Sequence, residues 1–189
     1  MESKKEGKLV AHVIYGYDIN HMYEDSKTRP GTCPVCHNTM EKIPDLIYKI
    51  SRRKGDMFYT YDGFSIVSER FKCFCDERGY PDLTFVALTK SKGFYFFMPQ
   101  RIYKLDYIRR KVEFIDKRDC CGCYDEVIGA TPAYKDPDFF MESNDFICRS
   151  EWDFGSYGQK SPLIIAGLDT VSAMKAYGLK GMYYDKVYL

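Results

Sequence analysis

The chain has 189 residues, enough for one large domain or two small ones sharing a core. Aromatic residues reach 16%, with 17 Tyr and 13 Phe against one Trp, a composition that favours sheet over helix. Lys and Arg total 28 against 27 Asp and Glu, so no global field recruits nucleic acid or a membrane surface.

The first residues, Met1-Glu-Ser-Lys-Lys-Glu-Gly-Lys8, are charged and lack the apolar stretch of a secretory signal. No apolar run approaches the roughly 18–20 residues of a membrane span. The chain has eight cysteines, and the expected setting is a reducing cytoplasm, where clustered cysteines bind metal rather than form disulfides.

Leu9 to Tyr17 reads as a first strand, followed by a polar loop ending in Pro30-Gly31. The loop delivers Cys33-Pro-Val-Cys36, a tight turn with two thiols and His37 just beyond. His37 is read as a loop residue rather than a ligand. Leu46–Ile50 and Met57–Tyr61 read as two strands flanking a basic turn, Arg52-Arg53-Lys54. Ser68 caps a helix with Glu69 in its first turn and Gly79 as its stop. At 100° per residue Phe71, Phe74 and Cys75 share its buried face, and Cys73 lies opposite.

Leu83–Leu88 and Phe94–Met98 read as strands around a Ser91-Lys-Gly93 turn. Ile102–Asp106 and Lys111–Ile115 read as a hairpin straddling Tyr107–Arg110, leading into Cys120-Cys-Gly-Cys123. Beyond it the chain is turn-rich until Asp145–Phe154, which alternates as an edge strand does. Pro162–Ala166 is apolar throughout, as in a strand covered on both faces. Asp169 is expected to cap a short helix stopped by Gly178, and Gly181–Leu189 returns as a terminal strand. The expected fold is α+β and β-rich. It is mostly an antiparallel meander with a knuckle pair, two short helices and a C-terminal strand–helix–strand. One domain over 1–189 has two lobes, about 1–125 and about 126–189.

Two CxxC pairs brought together place four thiolates in a tetrahedron, the arrangement of a structural Zn2+. Cys33, Cys36, Cys120 and Cys123 are the expected ligands, with Cys121 either a bystander or a substitute for Cys120. Positions 37 to 119, 83 residues, lie between the pairs. Loop-closure entropy grows only logarithmically with length, so that distance is no obstacle. Four sulfurs close the coordination sphere, which marks a structural rather than a catalytic metal. The three histidines, at positions 12, 21 and 37, neighbour no nucleophile motif, and no GxSxG, P-loop or HExxH occurs. The acidic groups Asp116/Asp119 and Asp136/Asp138 are explained by turn chemistry.

Three stretches resemble bacterial polymorphic-toxin immunity proteins of the double-CxxC(G), zinc-ribbon-like type. These are Cys33-Pro-Val-Cys36, Ile66-Val-Ser-Glu-Arg-Phe71, and Ser161-Pro-Leu-Ile-Ile165 through Gly178-Leu-Lys-Gly-Met-Tyr183. Neither pair is followed by Gly, since His37 and Tyr124 stand there. The resemblance implies a cytoplasmic, non-enzymatic protein whose partner is one cognate toxin, with no membrane and no catalytic residues. An alternative reading is a zinc-ribbon adaptor touching nucleic acid through Arg52, Arg53, Lys54, Arg109, Arg110 and Lys111. A third is an enzyme acting through an exposed Cys73.

Overall fold

The computed structural model describes residues 7–25, 29–52 and 54–189. The charged leader through Glu6 and Arg53 of the basic turn lie outside the described residues.

Everything is hung on strand β1, Leu9–Ile19. There follow β2 (Met57–Thr60), β3 (Ser65–Ser68), helix α1 (Glu69–Arg78), β4 (Leu83–Ala87) and β5 (Phe94–Pro99). Then come β6 (Ile102–Tyr103), α2 (Tyr107–Arg110), β7 (Glu113–Lys117), β8 (Tyr124–Ile128) and β9 (Ala133–Tyr134). The last elements are β10 (Ile147–Ser156), β11 (Ser161–Gly167), α3 (Leu168–Tyr177) and β12 (Met182–Tyr188). Among the described residues the strands form one mixed sheet in the order β4-β5-β3-β2-β1-β11-β10-β8-β7, with β12 also on β1.

Residues Ala11–Ile14 of β1 pair antiparallel with β11, while Leu9–Gly16 pair antiparallel with β12. Tyr17–Ile19 pair with β2 in parallel. The backbones come close at that switch. A Cβ on Gly16 would lie 1.9 Å from the Met57 carbonyl oxygen, so only glycine fits. The expected strand–helix–strand is present, but its two strands flank β1 instead of each other. The first segment and the last are therefore interleaved.

Ser68 caps α1 as expected. Its Oγ accepts from Phe71 N–H at 3.2 Å and donates to Asp56 Oδ1 at 2.6 Å. Gly79 ends the helix in the left-handed region at φ 65°. Phe71 and Phe74 of α1 meet Val171 and Met174 of α3 over Ile14, Val67 and Ile164, the main core. A second core gathers Phe58, Phe64, Ile66 and Phe96; a third gathers Tyr103, Phe146, Ile165 and Val187.

Several expectations are corrected. Leu46–Ile50 is irregular, held by Ile50 N–H to Ser91 Oγ (2.9 Å) and Tyr48 Oη–H to the Asn20 carbonyl (2.9 Å). The Ile102–Ile115 hairpin does not form. Asp106 Oδ1 accepts from Arg109 N–H at 2.8 Å and caps a third helix, α2, so local capping overrides the alternation. β6 then pairs with β10, and β7 pairs with β8, a strand within the stretch expected to be turn-rich. β10 is no edge strand, since β11, β6 and β8 all pair with it. Gly167 takes the N-cap position of α3 without a side-chain bond, and Asp169 lies in the first turn.

Candidate metal centre

The first turn is built like a knuckle. Thr32 and Thr39 form an antiparallel bridge at its base. Cys33 N–H donates to the Asn38 carbonyl, and His37 N–H donates to the Cys33 carbonyl, both at 2.9 Å. His37 adopts φ 60°, the left-handed conformation that glycine takes most easily. The missing glycine is thus replaced by a residue in the same conformation. Cys33 is buried, and the His37 imidazole is exposed and outside the group of converging ligand atoms.

The second turn repeats this bonding in a shifted register. Arg118 N–H donates to the Cys123 carbonyl at 2.8 Å, and Gly122 N–H donates to the Arg118 carbonyl at 2.7 Å. Gly122 has φ 72°. Laid over the first turn, Arg118 takes the place of Cys33, Cys121 that of Cys36, and Gly122 that of His37. The glycine that follows a knuckle cysteine is present, two residues earlier than the CxxC spacing suggests.

Four sulfurs converge as a result. The Sγ atoms of Cys33, Cys36, Cys120 and Cys121 all lie within 4.8 Å of one another. Cys33 and Cys120 approach to 3.7 Å, and Cys36 and Cys121 to 3.5 Å. Three of the expected ligands are brought together, with Cys121 where Cys123 was expected. Cys123 Sγ instead faces the Thr39 carbonyl at 3.8 Å and the Cys121 carbonyl at 3.9 Å. In the shifted register Cys123 occupies the Asn38 position, outside the four converging sulfurs.

A polar network beneath the sulfurs escaped the sequence reading. Asn38 Nδ2 donates to Cys36 Sγ at 3.4 Å and to Asp125 Oδ1 at 2.7 Å. Its Oδ1 accepts from Lys160 Nζ at 2.6 Å, and Lys160 also donates to the Tyr124 carbonyl. The Arg118 guanidinium grips Asp125 with two bonds, Nε to Oδ1 at 2.9 Å and Nη2 to Oδ2. Asn38, Asp125 and Lys160 are all buried. The polar spacing here has no motif; the only hint was a lysine at the end of an otherwise turn-like run.

These contacts set the charges. Burial would raise the Cys36 thiol, but the Asn38 backbone and side-chain hydrogen bonds and those from Cys121 and Cys120 pull it to about 6. Burial, with hydrogen bonds to the Cys36 and Cys123 thiols, holds Cys121 up. The Arg118 bond keeps the Asp125 carboxyl below the ordinary range, against its burial. Two cations and an amide thus face a cluster that would carry net negative charge when metallated.

Other candidates lie apart from this centre. Cys75 is buried in the main core with its thiol pushed up by burial, and Cys73 Sγ faces Glu69 Oε1 at 4.0 Å. Asp136 Oδ1 accepts from Asp138 N–H at 2.8 Å, a turn bond. The two basic clusters are not hairpin tips. Arg52 stacks 3.5 Å over Tyr17, Arg109 stacks 4.1 Å over Tyr134, and Arg110 donates to the Thr131 carbonyl at 2.6 Å. No helix among the described residues is long and apolar enough to cross a membrane. No family model matches the chain, and a search of curated proteins finds no match.

Proposed function

We propose that the protein is a zinc-stabilised, non-enzymatic immunity protein of the cytoplasm that binds and neutralises one cognate bacterial toxin. The observation that carries this reading is the meeting of two cysteine turns from distant parts of the chain, within 4.8 Å. The double-CxxC resemblance anticipates such a meeting of two turns, with Cys123 where Cys121 stands. Zinc suits the donor set. Zn–S bonds of about 2.3 Å in a tetrahedron require sulfur–sulfur edges of about 3.8 Å, and the closest pairs lie at 3.7 and 3.5 Å. Four thiolates leave no open coordination position, so the metal holds structure and the binding surface lies elsewhere.

The test is protection. A toxin gene beside this one, expressed alone and then with this chain, should kill in the first case only. The two proteins should co-purify as a stoichiometric complex. Survival unchanged by the chain, with no complex between the purified proteins, overturns the reading.

A further inference from the structure

Beyond Thr39 the chain runs along a cleft of about 630 Å3, within the roughly 300–1,000 Å3 of small-molecule sites. Val86 of β4 and Phe96 and Met98 of β5 form an apolar wall, and Trp152 stands on the β10 side. Two charged side chains in it, Lys42 and Asp153, are incompletely partnered.

Asp153 is half-buried, yet among the described residues its carboxylate accepts no hydrogen bond and has no cation in contact. Lys42, Arg149 and Lys160 act on it only through space. Lys42 Nζ donates once, to the Asp62 carbonyl at 3.0 Å, and lies 4.9 Å from the Phe64 ring centroid. An ammonium has three donors, so two remain. Burial and the Arg29 charge push this amine down to about 7, and burial pushes Asp153 up. The protein supplies only part of what would stabilise their charged forms, which leaves both open to a ligand in the cleft.

The surroundings restrict what supplies them. A simple cation would meet Lys42, Arg149 and Lys160; a simple anion would meet Asp153 and Glu151. A molecule carrying both charges close together, neutral overall, satisfies each group without that repulsion. The apolar wall adds a place for a hydrocarbon or aromatic body. We propose that the cleft binds a free α-amino acid with an apolar side chain, its ammonium on Asp153 and its carboxylate on Lys42.

The proposal is independent of the immunity reading and is tested without a toxin. Titration calorimetry of the zinc-loaded full chain should give saturable heats with L-leucine, L-methionine or L-phenylalanine. L-Leucinamide lacks the carboxylate and N-acetyl-L-leucine lacks the ammonium, so each should bind at least about tenfold more weakly than L-leucine. Asp153→Asn should weaken L-leucine by a similar factor. Equal binding of either analogue, or no heat from any of the three amino acids up to about 10 mM, overturns it. The analogue comparison uses the unaltered protein, so it does not depend on a variant folding.

Discussion

Asn38 touches a sulfur, a carboxylate and an ammonium through one amide. Removing an outer partner of a metal ligand weakens metal binding by about 10–100-fold. Asn38→Ala should do the same in a competition with a chromophoric chelator. The shifted second turn makes a sharper claim. Cys121→Ser should lose stoichiometric zinc, whereas Cys123→Ser should keep it, as metal analysis of the purified variants would show. Asp125 gives a pH dependence. Its folded pKa lies below the unfolded value of about 3.9, so its contribution is full above that pH. That contribution is lost as pH falls through the folded pKa. Urea melts of Asp125→Asn should therefore show a shallower acid limb below about pH 4 than the parent. None of this network was legible beforehand, because Asn38, Asp125 and Lys160 are distant in sequence and meet only through tertiary structure.

Helix α1 was legible to the residue because its signals are local. Ser68, Glu69, the Phe71/Phe74/Cys75 face and Gly79 each act within one turn of the chain. Ser68 also ties the helix to Asp56, whose Oδ2 accepts from Lys180 N–H at 2.7 Å. Ser68→Ala should cost about 1–2 kcal/mol in chemical denaturation, from the cap and the orphaned carboxylate together. Phe71→Ala empties a fully buried site beside Phe97, at 5.2 Å between ring centroids, and should cost roughly 3–5 kcal/mol. The segment 102–115 was misread because alternation alone does not fix a partner. Asp106 offers a side-chain cap, and a two-residue strand finds β10 before it can reach β7. The knuckle pairs were legible as a metal site, but thiol spacing alone could not reveal that the backbone bonds start the second turn at Arg118 and so present Cys120 and Cys121.

At the scale of the molecule the metal centre ties the Cys33 turn to the loop between β7 and β8, at one end of the sheet order. β1, β11 and β12 are held by sheet pairing at the centre. Metal removal should therefore loosen the periphery first. Hydrogen exchange after chelation should show β7 and β8 amides losing protection while β1 and β11 amides keep theirs. Loss of protection throughout would mean that the centre holds the whole fold. Strand content was readable from composition and aromatic runs. The interleaving was not, because pairing across the length of the chain leaves no local mark.

The position of β1 bears on how the chain comes to be folded. Made early, it presents two open edges, and its neighbours Gly167 and Val187 of β11 and β12 are synthesised much later. Domains with such distant pairings fold slowly, and their unpaired edges invite aggregation in the meantime. A holding chaperone that shields β1 until those strands emerge should therefore raise the yield of folded protein more than faster translation does, as expression with and without it would show.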